Sequence, residues 1–551
     1  MRGPLTAQRD SALTRMKRDF QGLLGAPREL WIVYAVKFIE SIAYFAVVNV
    51  LILYLHDDLR FDDETAGALF GSWGTLISIL TFAAGFIADA MGQRKSLLIA
   101  ALVAVVGRSL LVVSDVPAIP LFGLALGTWT VASMKPVMTA AVKTHAPTDV
   151  RPFAFSIFYV VMNLGALCAG WMVSALRVGL LGRAIRPADW FGDAAPIASE
   201  SARAALVDQL LPAFPAPEGA AATDVGVRSF ARMATGGRDL DFWTTTDLDL
   251  IQDAATAHLA GTPIPAAPFG LSGYEMIFLL AALMSVLSVL LVAAMRTDAE
   301  PTPQTPEGAG VGAILKQAAA IGRSLFSEKT FWAYLLFICV LVLVRAIFVH
   351  AHSTWPTYMV REFGQATPQA ALWSLNPAMI IVLTPVIGTL TSRYSAWSII
   401  MTGSFITAAS VLFMVAPEPL EAAARGTLGG AFPELDYRLT APVLFVMVLS
   451  VGEALWSPRL YEYVAFMAPK GREASYMGLT QLPMFAAKPL VGFMSGSLLA
   501  TYCPEHGERS SGVLWIIVFA TTLAGPLLAL LFSGVIRGAE RQRQKEERAA
   551  S

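Results

Sequence analysis

Apolar runs of about twenty residues recur along the whole chain and limit the folds that it can adopt. Each run is long enough to cross about 30 Å of hydrocarbon as a helix. Only helices and closed barrels satisfy their backbone hydrogen bonds inside a bilayer, and these runs lack the alternation of barrel strands. The sequence therefore predicts an all-α membrane protein with twelve spans, near 29–55, 66–89, 96–114, 118–142, 153–178, 273–295, 331–358, 369–391, 396–416, 440–467, 474–500 and 512–536.

Composition excludes several other classes of protein. Hydrophobic residues make up 55% and charged residues 15% of the 551 residues, whereas a soluble protein carries about 25% charged residues. The net charge of −1 says nothing about a nucleic-acid partner, but the basic residues lie at helix ends rather than in one patch. Three cysteines are too few for a disulfide framework. We expect a lipid bilayer as the surroundings of this chain and no nucleic acid as its partner.

Lysine and arginine residues near the ends of the spans predict the orientation of the chain. If both termini are cytoplasmic, the basic residues around 94–95, 316–329 and 470–472 all fall on the cytoplasmic side. Residue usage indicates a bacterial inner membrane. The predicted regions are a cytoplasmic segment 1–28, helices 1–5 at 29–180, a periplasmic cap 181–272, helix 6 at 273–295, a linker 296–330 with an amphipathic helix at 311–326, helices 7–12 at 331–536, and a basic tail 537–551.

The segment 181–272 between the fifth and sixth spans is too long to be a turn. Residues 199–211 and 246–260 have the pattern of short helices, and Gly261 ends the second of them. We expect a small cap over the external mouth.

Residues 85–95, after the second span, read GFIADAMGQRK. This stretch resembles the loop signature of the major facilitator superfamily, although the residue after Asp89 is alanine rather than a basic residue. Gly85 and Gly92 permit a close approach of helices, and Asp89 can pair with Arg94 or with a helix end in one conformation. These four residues are the predicted gating latch.

Three further stretches resemble the proton-dependent oligopeptide transporter family of that superfamily. Residues 133–136 read SMKP, residues 155–165 read FSIFYVVMNLG, and residues 452–458 read GEALWSP. The chain is identified as a member of this family or as a divergent relative. The resemblance implies two six-helix bundles, alternating access around a central site, and proton-coupled symport of di- and tripeptides. We expect a functional monomer.

Charged residues near the middle of a span are costly and usually mark a substrate or proton route. In the family, the equivalents of Lys135 and Glu453 contact the two charged ends of a peptide. Arg108 and Lys488 also fall near mid-depth; Arg108 could brace helices, and Lys488 could pair with Glu453. The predicted substrate-binding residues are Lys135, Glu453, Tyr159, Asn163, Arg345, Trp456 and Tyr44. The predicted proton-coupling residues are Glu40, Glu453 and Lys37.

The first and seventh spans depart from the family pattern. Residues 37–41 read KFIES where the family has Glu-x-x-Glu-Arg. Lys37 and Glu40 still share one helix face and could pair there. The seventh span lacks the family's glutamate motif and has Arg345, followed by His350 and His352, which we interpret as a solvated helix end.

Two alternatives to peptide symport remain. The excess of positive charge near mid-depth favours a transporter or exporter of organic anions or other non-peptide metabolites. The cap motivates a non-transporting sensor or scaffold on the same fold. No phosphate loop, zinc spacing, nucleophile elbow or nucleotide fingerprint occurs in a fitting context, so we expect no enzyme, no metal and no cofactor. Energy would come from a proton gradient.

Overall fold

The computed structural model describes residues 12–91, 93–113, 116–147, 149–179, 196–215, 223–235, 238, 240, 243–265, 271–296, 329–391, 394–467 and 482–550. Within these ranges all regular elements are helices, apart from one isolated bridge between Ile197 and Thr244. The predicted all-α class is confirmed for the described part of the chain. The predicted linker helix at 311–326 lies outside these residues.

The first half of the chain begins with a short helix and continues with long ones that coincide with the predicted spans. Helix α2 is buried along most of its length, which fits a helix that is apolar on every side. The helices are α1 (Ala12–Leu24), α2 (Arg28–Asp57), α3 (Asp63–Met91), α4 (Gln93–Ser109), α5 (Ala118–His145), α6 (Arg151–Gly179) and, after the insertion, α10 (Gly273–Ala293).

The second half follows the same plan, with short helices where the chain bends. Four predicted spans are divided, near Thr354, Ser374, Val411 and Phe532. The helices are α11 (Lys329–Ser353), α12 (Trp355–Phe363), α13 (Gln369–Trp373), α14 (Leu375–Leu390), α15 (Ala396–Ser410), α16 (Leu412–Val415), α17 (Glu418–Leu428), α18 (Thr440–Met467), α19 (Leu482–Tyr502), α20 (Ser511–Leu531) and α21 (Ser533–Ala550).

Eight helical segments in the described residues are long and apolar enough to cross a membrane. They include α2, α10, α15 with α16, and α20. The count of twelve spans stays a prediction. Helix α3 packs along α19, and α6 packs on α13 and α14, so that these pairs join the two halves.

The described residues of the insertion form three helices packed around their own apolar core. They are α7 (Glu200–Leu210), α8 (Val225–Thr235) and α9 (Thr245–Leu259). The first and third coincide with the predicted helices, and Gly261 adopts a φ of 67° directly after the third. A capping box of Thr244 and Asp247 begins α9. We call this unit the cap, and we call the end of the molecule that carries it the cap end.

Two carboxylates at the end of α2 bind the start of α10 and interact with the cap. The hydroxyl of Ser272 donates to Asp58 Oδ2 at 2.6 Å, and the hydroxyl of Tyr274 donates to Asp57 Oδ2 at 2.6 Å. Arg232 of α8 interacts electrostatically with both aspartates. The cap is therefore tied to the connection between the first two long helices.

Candidate functional site

Five charged side chains from five helices of the two halves are connected by electrostatic interactions. They are Lys37 on α2, Lys135 on α5, Arg345 on α11, Glu453 on α18 and Lys488 on α19. Electrostatic interactions connect Lys135 with Lys37 and Lys488, and connect Arg345 with Lys488 and Glu453. Because the interaction of Lys135 with Lys488 crosses from one half to the other, we treat the five residues as one candidate site. We call it the central site.

Glu453 is held in place by a neighbouring helix. The amide nitrogen of Asn376 on α14 donates to Glu453 Oε2 at 2.8 Å and to the hydroxyl of Ser450 at 3.1 Å. An amide donor leaves the carboxylate its charge and its second oxygen. Glu453 can therefore accept a proton or bind a cationic group without first breaking an ion pair.

Lys488 binds the opposite half of the molecule. Its ammonium donates to the carbonyl of Gly74 and to the hydroxyl of Ser78 on α3, both at 2.9 Å. The pairing with Glu453 that the sequence suggested does not form in this conformation. Lys488 instead ties α19 to α3 beside the central site.

Glu40 pairs with Arg108 rather than with Lys37. Arg108 Nη2 lies 3.0 Å from Glu40 Oε2, both side chains are buried, and Arg108 also donates to the hydroxyl of Ser285. This arrangement braces three helices, as considered for Arg108 from the sequence. The ammonium of Lys37 lies 5.2 Å from the ring centroid of Phe158, within cation–π range.

Tyr44 stands beside this buried pair. Its ring stacks on Trp73 with centroids 6.4 Å apart, and both rings line a cavity of about 30 Å³ that Arg108 also borders. The cavity has room for a water molecule but not for a peptide. The structure thus places Tyr44 next to the Glu40–Arg108 pair.

The other predicted substrate-binding residues differ in how far their side chains are buried. Tyr159 is half-buried, and the amide nitrogen of Asn163 donates to the Tyr159 carbonyl within their own helix at 2.9 Å. Trp456 is buried in the core of the second half, where its indole nitrogen donates to Thr407 at 3.2 Å. In this conformation Trp456 packs helices together, and its role in substrate binding stays a prediction.

Of the two histidines of α11, His350 is buried and His352 is half-buried, so the interpretation of a solvated helix end is wrong for His350. His350 is 1% exposed, and its Nδ1 lies 2.8 Å from the Thr354 hydroxyl. His352 Nδ1 lies 2.9 Å from the Phe348 carbonyl. Helix α12 continues beyond the bend at Thr354 and packs against this end of α11.

The predicted gating latch is only partly described. Gly85 and Asp89 lie on α3, but their surroundings, and Gly92 altogether, fall outside the described residues. Arg94 donates to the Ala293 carbonyl at the end of α10, at 2.9 Å. The Asp89–Arg94 pair stays a prediction.

A seam of glycines joins the halves at the cap end, and it was missed from the sequence. A Cβ atom added to Gly492 of α19 would lie 2.5 Å from the carbonyl oxygen of Gly67 and 2.6 Å from the Cα of Gly71, both on α3. Gly496 lies equally close to the start of α3. The spacings Gly67-x-x-x-Gly71 and Gly492-x-x-x-Gly496 were the signal, because they permit close helix packing in membranes.

An ion pair closes the same end. Arg361 of α12 binds both oxygens of Asp63 on α3 at 2.8 Å, and it also donates to the Cys503 carbonyl at 2.8 Å. The side chains are 6% and 12% exposed, so the pair is shielded from solvent. Such two-point guanidinium–carboxylate contacts are strong and directional. The two halves are thus firmly joined at the cap end.

Comparison with known proteins identifies the superfamily. The sequence model of the Major Facilitator Superfamily matches residues 33–190 and 256–487, which is more than half of the chain. The chain belongs to the major facilitator superfamily. The predicted superfamily is confirmed, and the gap between the two matched ranges includes most of the cap.

Within the superfamily, the chain is similar to peptide transporters. It is 30% identical over 152 residues to dipeptide and tripeptide permease B of Photorhabdus luminescens. The match covers 26% of this chain and 31% of that relative, so it spans about a third of the length of the permease. The similarity over this part alone does not establish that the chain has the activity or the substrates of the permease.

Solved structures support the fold over nearly the whole chain. A transporter of the oligopeptide family, crystallised with a thioalcohol-conjugated peptide, covers 94% of this chain with a TM-score of 0.60 and 16% identity. The match includes 99% of that structure. A nucleoside transporter covers 92% of this chain, with 99% of its own length matched, a TM-score of 0.55 and 12% identity. The major facilitator fold is thus shared with carriers of different substrates.

Proposed function

We propose that this protein is a secondary active transporter that moves di- or tripeptides, or similar zwitterions, by alternating access. The supporting observation is the set of electrostatic interactions that leads from Lys135 of one half, through Lys488 and Arg345, to Glu453 of the other half. An ammonium for a carboxylate and a carboxylate for an amino group match the two ends of a peptide. Each charge-assisted hydrogen bond contributes about 1.5–3 kcal/mol to binding.

The contacts at the cap end support the alternating-access part of the proposal. The glycine seam and the Arg361–Asp63 pair hold the halves together at that end, while Lys135 is exposed. We assign the cap end to the periplasm and the described conformation to the state closed on that side. Substrate in this state would leave toward the cytoplasm.

Protons are the proposed energy source. A proton that enters across 100 mV releases about 2.3 kcal/mol. Glu453 is the proposed carrier of this proton, because it is ionisable, lies on a long helix and accepts a hydrogen bond from the neutral amide of Asn376. Neutralising Glu453 would weaken its attraction to Arg345 of the same half and to the substrate amino group, so that a bound substrate would no longer bridge the two halves.

A second candidate, transport of organic anions, is favoured by the charge of the central site. Four cationic side chains face one carboxylate there, a net charge of +3 when all are ionised. Glu40 and Arg108 neutralise each other and do not change this balance. A dicarboxylate would satisfy more of the cations than a peptide does.

Competition in proteoliposomes separates the two candidates. Uptake of labelled alanyl-alanine is measured with increasing unlabelled dipeptide, tripeptide or succinate outside. If peptides are the cargo, both peptides compete at concentrations at least about 10-fold below that of succinate, because succinate lacks the amino group that Glu453 binds. Labelled succinate uptake that is insensitive to peptides would replace the first candidate with the second.

A further inference from the structure

His56, at the last turn of α2, lies where the two halves meet at the cap end. Its Nδ1 is 3.0 Å from Asp57 Oδ1 of the same half, and its Nε2 is 3.2 Å from Arg361 Nη2 of the other half. The His56 side chain is 20% exposed, so water from the cap end reaches the ring. None of the predicted proton-coupling residues lies here.

The contact with Arg361 fixes the protonation state of the ring. A guanidinium donates hydrogen bonds and has no lone pair to accept one. Nε2 must therefore be the acceptor, and the ring proton lies on Nδ1, where it is donated to Asp57. His56 is neutral in this arrangement and connects Asp57 of one half to Arg361 of the other.

A second proton would reverse the contact. It would bind to Nε2 and place two donors, both positively charged, against each other across the interface. The alternative partners of Nε2 are Glu505 Oε2 at 3.7 Å and Asp63 Oδ1 at 3.9 Å. If Asp63 turned toward the imidazolium, its two-point contact with Arg361 would be weakened as well.

The charged groups around the ring favour proton uptake. Asp57, Asp63 and Glu505 face it, against the single cation Arg361. Asp58 and Arg232 lie one step further away, next to Asp57. Imidazole is also the side chain whose ordinary titration range lies nearest to neutral pH.

We propose that His56 is a proton-binding site of the cap-end gate, and that its protonation from the cap-end solution favours the conformation open at that end. The inference rests on the proposed alternation of the two halves but not on the identity of the cargo. It adds a proton site remote from Glu453. Acid on the cap side would then open the transporter toward the side from which protons enter.

Spin-label distance measurements test this proposal without any substrate. The labels are placed at exposed positions of the two halves, Val116→Cys and Leu428→Cys, in full-length protein in nanodiscs with the three native cysteines replaced by serine. We expect the population of the longer distance to rise at least about 5-fold from pH 8 to pH 5. His56→Gln should keep the short distance at both values, because its amide oxygen still accepts from Arg361.

His56→Arg should favour the longer distance even at pH 8, because its charge is permanent. His506→Gln, which removes a histidine two residues beyond the cap-end Tyr502–Pro504 segment, is the matched control and should respond like the parent. Arg361→Ala shows independently that the gate can open. If Arg361→Ala opens the gate but acid does not, the His56 proposal is wrong. If no variant shows a second distance, the alternation itself fails.

Asp58 is the competing source of a pH response. Burial raises the pKa of its carboxyl to about 7, although the hydrogen bond from Ser272 acts in the opposite direction. Its protonation would weaken the cap contact rather than the Arg361 contact. A pH response that survives in His56→Gln and vanishes in Asp58→Asn would overturn the proposal.

Discussion

Gly492→Ala is expected to slow transport at least about 10-fold while leaving the amount of folded protein unchanged. The added methyl group would lie 2.5 Å from the Gly67 carbonyl oxygen and 2.6 Å from the Gly71 Cα, so α3 and α19 must separate. Overpacking of this kind costs about 1–3 kcal/mol. That cost applies only to the state closed at the cap end, so the population of this state falls by roughly 5- to 150-fold.

Gly388→Ala is the matched control, because nothing lies within 4 Å of a Cβ atom at that position. Both variants are reconstituted at equal density, and the initial rate of uptake is compared with the elution profile in detergent. Equal rates for Gly492→Ala and the parent would show that the glycine seam does not take part in the transport cycle.

Glu453→Gln is expected to abolish gradient-driven accumulation and to weaken substrate binding by about 10- to 100-fold. The amide keeps the volume of the side chain and can still accept the hydrogen bond from Asn376. It loses the charge that would bind an amino group and the ability to take up a proton. The affinity estimate follows from the loss of one charge-assisted hydrogen bond.

Binding is measured by calorimetry with a dipeptide, and accumulation is measured with an imposed proton gradient. Glu421→Gln is the control, because it removes the same formal charge from an exposed helix, where Glu421 pairs with Arg425 at 2.7 Å. This variant should behave like the parent. If accumulation persists in Glu453→Gln, another residue must carry the coupling proton, and Glu40 and Lys37 are the remaining predicted carriers.

Much of the fold was predictable because membrane solvation leaves a strong signal in sequence. The described long helices coincide with the predicted spans, since an apolar run of twenty residues can satisfy its backbone in lipid only as a helix. The positions of Lys135 and Glu453 on long helices could be predicted for the same reason. Charged residues are so costly in such runs that the few present attract attention.

The pairing of these charges could not be predicted in the same way. Glu40 is three residues from Lys37, yet its partner is Arg108, which is 68 residues away in the sequence and on another helix. Lys488 turned out to bind backbone and hydroxyl oxygens of α3 rather than a carboxylate. The partner of each charged side chain depends on how helices from distant parts of the chain pack. The spacing of residues along one helix does not predict that packing.

Trp456 and the glycine seam show what a sequence motif reports and what it leaves open. Trp456 lies in a motif shared with the family, and its side chain packs into the core of the second half. The seam, in contrast, was readable from two Gly-x-x-x-Gly spacings. A sequence motif predicts which helix carries a residue, but the direction of its side chain depends on the rotation of that helix within the bundle.

The most direct test is whether the parent protein concentrates a zwitterionic dipeptide against its gradient. Proteoliposomes with an inward proton gradient receive labelled alanyl-alanine, and the internal concentration is followed before and after a protonophore is added. We predict accumulation above the external concentration that the protonophore abolishes. Saturable binding of the peptide without accumulation, in vesicles shown to hold the proton gradient, would contradict the transporter function and support a sensor on the same fold.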